Sequence, residues 1–309
     1  MAADEPPRAR AVLAADVGGT KLAAALVDAD GTVRRAERVP TGSDPWNALQ
    51  GLLERVRGGA PVRGVGVGCG GPTRWPEGVV SPPNTPPWRG GFPLLAALRS
   101  AYAGLPVRMH NDAVALAVGE HWRGAGQGTE DLLGMVVSTG VGGGVVTGGR
   151  VLQGRSGNAG HIGHLVVEPG GPACGCGGRG CLEAVARGPA VVAWARERGC
   201  AARDGAALAV LAAAGEPVAV AALARAGRAL GTGIAGAAAL LDVDLVVLGG
   251  GFAQAGEPLW APLRAALAEH ARLGFLAGLR VLPAALGQHS GLVGAAALVH
   301  AADRYATPG

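Results

Sequence analysis

The first part of the chain alternates between apolar runs and short turns that contain glycine. Residues 11–16 and 22–27 are apolar runs of strand length on either side of Gly18-Gly19, and a third run near 33–39 follows Asp30-Gly31. Glycine-containing two-residue connections between apolar runs are typical of β-hairpins. The pattern predicts a three-stranded antiparallel meander at the start of the chain.

A second unit of the same kind begins at residue 132. Apolar runs at 132–138 and 145–147 flank a turn-like sequence from Thr139 to Gly144, and another short run covers 150–152. Helical patterns follow each unit, and such self-similarity is typical of a chain built from two related halves. We therefore predict one strand–turn–strand unit in each half of the chain.

The other segments show either helical or strand-like spacing of their apolar residues. Helical intervals occur in the segments 46–57, 93–102, 113–122, 189–198, 206–213, 217–241, 258–270 and 291–303. Short apolar runs predict buried strands at 62–69, 105–109, 245–248 and 279–282, and residues 1–10 are predicted to form a loose polar tail. This alternation of strands and helices predicts an α/β fold.

The length of the chain predicts two domains, because 309 residues exceed the size of one average domain. We place the boundary near Asn111, where a strand pattern gives way to a helical one. The first domain would comprise residues 1–111 with the C-terminal helix at about 288–309, and the second would comprise 112–287. The cleft between them is the expected place for a functional site.

Composition and charge exclude several classes of protein. With 49% hydrophobic and 16% charged residues the chain is globular. Its net charge of +4 comes from scattered arginines without a basic run, so nucleic-acid binding is not indicated. No secretory signal is recognisable, and the uncharged stretch 132–149 contains a glycine turn, unlike a membrane span. We expect a soluble cytoplasmic protein without membrane or nucleic-acid partners.

Asp112 lies where a predicted strand is followed by a predicted helix, at the expected N-cap position. An aspartate at an N-cap commonly accepts hydrogen bonds from the backbone N–H groups of the first turn. Alternatively, Asp112 faces a cleft as a general base, and the helix N-terminus keeps it a carboxylate. The sequence around Asp112 leaves both interpretations open.

The motif Asp16-Val17-Gly18-Gly19-Thr20-Lys21 combines a carboxylate, two glycines, a hydroxyl and an ammonium group. Backbone N–H groups at such a turn can approach an anion closely, so the hairpin could hold phosphates and a hydrated Mg²⁺. A plain hairpin with a surface aspartate explains the same residues equally well.

Two further glycine turns carry no charge. Thr139-Gly140 could hold phosphate through its backbone and hydroxyl, although a plain turn is the simpler interpretation. Gly249-Gly250-Gly251 follows an apolar strand, where glycine permits close approach of a flat ligand such as adenosine. Tight packing of a strand against a helix is the alternative there.

His164, Cys174, Cys176 and Cys181 offer three thiolates and one imidazole, the ligand set of a closed tetrahedral zinc site. Such a zinc ion would be structural, because the protein fills all four positions. Free or redox-active cysteines are the alternative. The odd total of five cysteines in an expected cytosolic chain argues against a disulfide framework.

Together these motifs resemble those of the ROK family, in that family's order and spacing. The resemblance spans roughly residues 11–300, and its most specific parts are the Asn111-Asp112-Ala113 helix start and the cysteine loop with Glu183. It implies two ribonuclease-H-like domains of the actin/hexokinase type that close on ATP and a sugar. The family includes bacterial glucokinases, fructokinases, N-acetylhexosamine kinases and sugar-responsive repressors.

The resemblance also implies roles for individual residues. Asp112 would take the proton of the sugar's primary hydroxyl as that oxygen attacks the γ-phosphate of ATP. The implied sugar contacts are Gly71, Asn84, Asn111, Asp112, His164 and Glu183, of which His164 and Glu183 would lie at the anomeric end. Asp16 would hold Mg²⁺ through water, and the implied nucleotide-binding set is Asp16, Gly18, Gly19, Thr20, Lys21, Thr139, Gly140, Gly249 and Gly250. The family also implies a homodimer.

His161 departs from the family pattern. The family usually has Ala-Gly-Glu-x-Gly-His, and here His161 stands at the position of the sugar-binding glutamate. A carboxylate that only accepts hydrogen bonds is replaced by a ring that can donate and accept. Either His161 makes an equivalent sugar contact and glucose still binds, or the preference shifts to another hexose, an N-acetylhexosamine or a cyclitol. A role for His161 in the metal site is disfavoured, because four ligands are already present.

The function predicted from the sequence is an ATP- and Mg²⁺-dependent sugar kinase with a structural zinc ion, phosphorylating glucose at its primary hydroxyl. The sequence leaves ATP and polyphosphate open as donors. A sugar-sensing regulator of the same family would need an N-terminal helix-turn-helix domain, which we do not expect because the phosphate hairpin begins at residue 16. A sugar-binding scaffold without activity is the third possibility.

Overall fold

The computed structural model of the protein describes residues 11–306, and the tail predicted for residues 1–10 lies outside them. The strands are β1 (Val12–Val17), β2 (Lys21–Val27), β3 (Val33–Pro40), β4 (Val65–Cys69), β5 (Thr73–Arg74), β6 (Val79–Val80), β7 (Val107–Asn111), β8 (Leu132–Val137), β9 (Val141–Thr147), β10 (Arg150–Val151), β11 (Leu245–Gly249) and β12 (Arg280–Pro283). The α-helices are α1 (Pro45–Arg57), α2 (Leu94–Ala101), α3 (Asp112–Arg123), α4 (Leu182–Ala186), α5 (Gly188–Arg196), α6 (Gly205–Ala213), α7 (Pro217–Leu241), α8 (Glu257–His270), α9 (Ser290–His300) and α10 (Ala302–Tyr305).

Ten of the twelve strands form two five-stranded sheets of the same design, and β5 pairs with β6 in a separate two-stranded sheet. In the first sheet, with the order β3-β2-β1-β4-β7, an antiparallel meander is extended by two parallel strands. In the second sheet, with the order β10-β9-β8-β11-β12, the same arrangement recurs. The predicted meander and the predicted similarity of the two halves are therefore confirmed.

Helices α3 and α9 lie between the two sheets and contact each other. Helix α9 packs on β1 and β4 of the first sheet, and α3 packs on β8 and β9 of the second. At their crossing the helices touch through glycine, since a Cβ on Gly294 would lie 1.6 Å from the carbonyl oxygen of Ala115, and one on Gly119 would lie 2.1 Å from that of Ser290. This packing is compatible with the domain ranges predicted above, which stay a prediction.

A buried carboxylate fixes the segment before α9 to helix α3. Glu120 of α3 is fully buried, and its oxygens accept hydrogen bonds from the backbone N–H groups of Ala125, Ala285 and Leu286 at 2.9–3.0 Å. The hydroxyl of Ser290, the first residue of α9, donates to the same carboxylate at 2.7 Å. Four donors compensate for the loss of water around these buried oxygens.

The main hydrophobic core of the second half surrounds α7. Helix α7 approaches α8 closely because glycines face it, and a Cβ on Gly227 would lie 2.2 Å from the carbonyl oxygen of Leu259. Among the described residues α7 is also the helix long and apolar enough to cross a membrane, but 61% of its most apolar window is buried inside the protein. Burial in a core explains its apolar composition.

Several elements differ from those predicted. The glycines 142–144, predicted as part of a turn, lie in strand β9. Close neighbours explain them: a Cβ on Gly144 would lie 2.5 Å from the Cα of Val114 in α3. The short elements β5, β6 and α4 were not predicted, and the predicted C-terminal helix is divided at Ala301 into α9 and α10.

Candidate active site

The candidate active site lies at the carboxyl ends of the parallel strands β1, β4 and β7, where ligand sites of α/β sheets commonly lie. Strand β7 ends at Asn111 and helix α3 begins at Asp112. Asn111 caps the helix, because its side-chain oxygen accepts a hydrogen bond from the N–H of Ala113 at 3.0 Å. The predicted N-cap position of Asp112 is thus wrong by one residue.

The carboxylate of Asp112 faces the loop that follows β4. Its Oδ1 accepts from the N–H of Ala113 at 2.9 Å, while a Cβ on Gly70 would lie 3.9 Å from Oδ2 and 4.0 Å from Oδ1 of Asn84. Burial raises the pKa of Asp112, although the N–H groups at the start of α3 and the charge of His161 oppose the shift. The helix N-terminus therefore does not dominate, and burial makes Asp112 a stronger base than an exposed aspartate.

Gly71, Asn111 and His161 lie close to one another next to Asp112. A Cβ on Gly71 would lie 3.0 Å from Nδ2 of Asn111 and 3.6 Å from Nε2 of His161. Nδ1 of His161 lies 2.9 Å from the carbonyl oxygen of Asn158. Because a carbonyl only accepts, Nδ1 donates, and Nε2, which faces Gly71, accepts a hydrogen bond when the ring is neutral. His161 can therefore replace one acceptor oxygen of the glutamate that the family usually has.

The side chain of Asn158 bridges the two halves of the protein. It accepts a hydrogen bond from the N–H of Thr73 at 3.0 Å and donates to the carbonyl of Thr73 at 2.9 Å. A second bridge joins Nε2 of His110 to Oε1 of Gln153 at 2.8 Å, and burial lowers the pKa of His110 to about 4, so the ring is neutral. A cavity of about 430 Å³ lies beside Asn158, lined also by Thr73 and Trp75. Sequence reasoning did not identify any of these bridging residues.

The predicted phosphate hairpin lies directly against a predicted sugar contact. A Cβ on Gly19 would lie 2.5 Å from Cγ of Asn84, so only glycine permits this approach. The turn is closed by a hydrogen bond from the N–H of Gly18 to the carbonyl of Lys21 at 3.1 Å. Asn84 therefore lies against the hairpin and, like the carboxylate of Asp112, beside Gly70.

Asp16 is not the surface aspartate of a plain hairpin. Burial and the nearby carboxylate of Asp112 raise the pKa of Asp16 to about 7, while Lys21 and Arg38 oppose the shift. Its carboxylate also lies near the start of α9, 3.5 Å from the position of a Cβ on Gly291. Two neighbouring carboxylates in a partly buried place are a setting that favours a divalent cation, and Mg²⁺ prefers such oxygen ligands.

Glu183 holds the second glycine turn, which begins at Thr139-Gly140, in position. Oε2 of Glu183 accepts a hydrogen bond from the N–H of Val141 at 3.0 Å, and a Cβ on Gly140 would lie 2.7 Å from the same oxygen. One oxygen of this predicted sugar ligand therefore holds the turn that begins at Thr139. Gly250, with φ of 93°, lies against β8, where a Cβ would meet the carbonyl oxygen of Val137 at 2.3 Å. Tight packing explains Gly250, and its contact with adenosine stays a prediction.

The predicted zinc ligands come together. The ligand atoms of His164, Cys174, Cys176 and Cys181 all lie within 4.8 Å of one another. The sulfurs of Cys176 and Cys181 are 3.8 Å apart, and Sγ of Cys174 lies 3.7 Å from Nδ1 of His164. Tetrahedral zinc with bonds of about 2.3 Å to sulfur would separate its ligand atoms by about 3.7 Å. The donor set and the spacing both fit zinc.

The fold and the site together define a sugar kinase, and the chain belongs to the ROK family, whose model matches residues 12–302. It is 34% identical to a glucokinase of Thermotoga maritima, covering 93% of this chain and 96% of that one. It is 39% identical to an N-acetylmannosamine kinase of Citrobacter koseri, with 93% and 97% covered. The structure of a ROK family glucokinase from Streptomyces griseus in complex with glucose and AMPPNP superposes with a TM-score of 0.83, at 34% identity over 93% of this chain and 98% of that one.

These similarities confirm the predicted family, the two-domain actin/hexokinase-type fold and the class of enzyme. They support hexose phosphorylation with ATP, and they include kinases of two different sugars. The roles of the individual site residues stay predictions.

Proposed function

We propose that the protein transfers the γ-phosphoryl group of ATP to the primary hydroxyl of a hexose, with Asp112 as the general base. The convergence of Asp112, Asn84 and the Gly19 turn carries this proposal. A hydroxyl held between Asn84 and Asp112 would give its proton to the carboxylate while its oxygen attacks the phosphorus and ADP leaves. The raised pKa of Asp112 favours its acceptance of that proton.

The metal ions have separate tasks in this proposal. Asp16 would hold Mg²⁺, which would neutralise charge on the phosphates as the bond to ADP breaks. Zinc at His164 and the three cysteines would be structural. It would fix the segment between His161 and Glu183, because Val166 and Cys181 form a β-bridge beside the ligands. Zinc would thereby hold both predicted sugar contacts in place.

Glucose is the first candidate substrate, because glucokinases are among the relatives. An N-acetylhexosamine is the second candidate, and His161 favours it. A carboxylate only accepts hydrogen bonds, whereas the imidazole of His161 can donate as well as accept. An acetamido group adds a carbonyl acceptor to its N–H donor, and a ring that can donate is able to contact that carbonyl where a carboxylate is not. The cavity of about 430 Å³ beside Asn158 would give the added group room.

A coupled assay of ADP release tests the function. The parent is offered glucose, mannose, N-acetylglucosamine, N-acetylmannosamine and a cyclitol, with ATP or polyphosphate as donor and zinc measured on the same sample. We expect sugar-dependent ADP release that falls by about 10²–10⁴-fold in Asp112→Asn, with sugar affinity retained. A parent that binds sugars but releases no ADP with any of them would be a scaffold and would refute the proposal.

We also propose a cytoplasmic homodimer, as the family resemblance implies. The apolar side chains of Leu240 and Phe275 are 81% and 57% exposed, which is compatible with self-association. Light scattering on the purified protein tests the oligomeric state, and a monomeric mass at micromolar concentration would contradict it.

A further inference from the structure

Arg38 lies in one cross-strand row with the carboxylate proposed to hold Mg²⁺. Asp16 of β1 is paired with Ala23 of β2, and Ala23 is paired with Arg38 of β3. Directly paired residues of antiparallel strands project from the same face, with Cβ atoms about 5 Å apart. The Cβ atoms of Asp16 and Arg38 are therefore about 10 Å apart, with only the methyl group of Ala23 between them. An arginine side chain can extend over that methyl group toward Asp16.

This row is on the face of the sheet that α9 covers. Ala23 packs in a cluster with Leu292 and Val293 of α9, and the first turn of α9 lies beside Asp16. The opposite face of β3 packs on α1, where Arg35 donates to the carbonyl oxygen of Val56. Arg38 therefore points to the side on which the phosphate hairpin and Asp16 meet α9.

The other arginines of β3 are already engaged. Arg34 pairs with Asp28, and Arg35 binds the end of α1. Arg38 has no hydrogen bond or ion pair within residues 11–306 and is exposed. Its positive charge nevertheless acts on Asp16, since it opposes the rise of the pKa of Asp16. An exposed guanidinium this close to Asp16 can bind an anion there.

We propose that Arg38 binds the phosphate chain of the nucleotide beside Asp16, with Lys21 as the second cation. The proposal rests on the proposed use of ATP and adds a ligand for the phosphates. A guanidinium remains charged and offers a planar pair of N–H donors that matches two phosphate oxygens. Arg38 would thus clamp the phosphates from the edge of the sheet while the hairpin binds them through its backbone.

Calorimetric binding of nucleotides tests this role without turnover. The parent, Arg38→Gln and the matched control Arg34→Gln are titrated with AMP-PNP, ADP and adenosine in the presence of Mg²⁺. We expect Arg38→Gln to weaken AMP-PNP about tenfold, as the loss of a charge-assisted hydrogen bond requires, and to leave adenosine unchanged. Arg34→Gln removes the same charge from the same strand and should leave all three affinities unchanged.

Three results would overturn the proposal. The first is AMP-PNP affinity of Arg38→Gln within twofold of the parent. The second is equal weakening by Arg34→Gln, which would indicate net charge alone. The third is equal weakening of adenosine, which would indicate a structural change. Arg38→Lys should recover part of the lost AMP-PNP affinity, because lysine keeps the positive charge but lacks the planar pair of N–H donors. A parent that binds AMP-PNP but phosphorylates no sugar would refute the proposed kinase and leave this test intact.

Discussion

The crossing of α3 and α9 gives a sharp test of how Asp112 is positioned. A Cβ at residue 294 would lie 1.6 Å from the carbonyl oxygen of Ala115 and 2.7 Å from the N atom of Gly119. Ordinary contact begins at 3.4 Å, so Gly294→Ala must separate the two backbones by about 1.8 Å at this point. Ala115 lies in the same helical turn as Asp112. The substitution therefore displaces the proposed general base without touching it.

The expected magnitude follows from two costs. Overpacking of an interior typically costs about 1–3 kcal/mol of the free energy of unfolding. A misplacement of about 1 Å at a reacting group can cost about 10²-fold in rate. Because the displacement is shared between the two helices, we expect Gly294→Ala to lower kcat by about 10²-fold and to remain folded.

Gly236→Ala is the matched control. Gly236 is also a helical glycine, in α7, but a Cβ there would have no atom within 4 Å. Alanine should stabilise α7 by about 0.5–1 kcal/mol and leave kcat unchanged. Urea unfolding and ADP release on both variants provide the measurements. If Gly294→Ala kept the stability and kcat of the parent, the glycine contact would not set the position of Asp112.

Three further predictions follow from the site. The pKa of Asp16 is raised from 3.8 to about 7, so the folded state binds the extra proton and its stability falls as pH rises between these values. Asp16→Asn should therefore be inactive, and more stable than the parent above pH 7. Melting temperatures at pH 5 and pH 8 provide the measurement. An equal change of melting temperature between these pH values in both proteins would contradict this prediction. Removal of zinc by a chelator, or the substitution Cys181→Ser, should lower the stability of the protein. Either change should also raise KM for the sugar more than KM for ATP. If the kinetic constants did not vary with the measured zinc content, a structural zinc ion would be excluded. His161→Glu should raise kcat/KM for glucose relative to N-acetylmannosamine by about tenfold, and the sugar panel would oppose the role of His161 if the ratio stayed constant.

Local patterns predicted most of the fold. The bounds of α7 agree with the prediction at both ends, because a proline begins the helix and its apolar face is continuous. The first meander follows from its apolar runs and glycine turns. The clustering of His164 with the three cysteines was also predictable, because the ligand types and their spacing belong to zinc chemistry.

Contacts between distant parts of the chain were not predictable. The buried carboxylate of Glu120 accepts hydrogen bonds from Ala285 and Ser290, which are 165 and 170 residues away in the sequence. The side chain of Asn158 is hydrogen-bonded to the backbone of Thr73, which is 85 residues away in the sequence. No periodicity marks such partners, since each depends on where two separate segments are brought by the fold. The glycines 142–144 were misplaced for the same reason: α3 lies against Gly142 and Gly144, and residues 160 and 162 lie against Gly143, so these strand positions leave little room for a side chain.

In the proposed role of Asp16 as the Mg²⁺ ligand, metal and hydrogen ions would compete for one carboxylate. Because burial raises the pKa of Asp16 to about 7, its carboxyl group still binds a proton close to neutral pH. A divalent cation that takes this place must expel that proton, so nucleotide loading would acidify an unbuffered sample. The heat of nucleotide binding measured by calorimetry would therefore depend on the ionisation enthalpy of the buffer. Mild acidity would then act on this protein as an inhibitor that competes with magnesium.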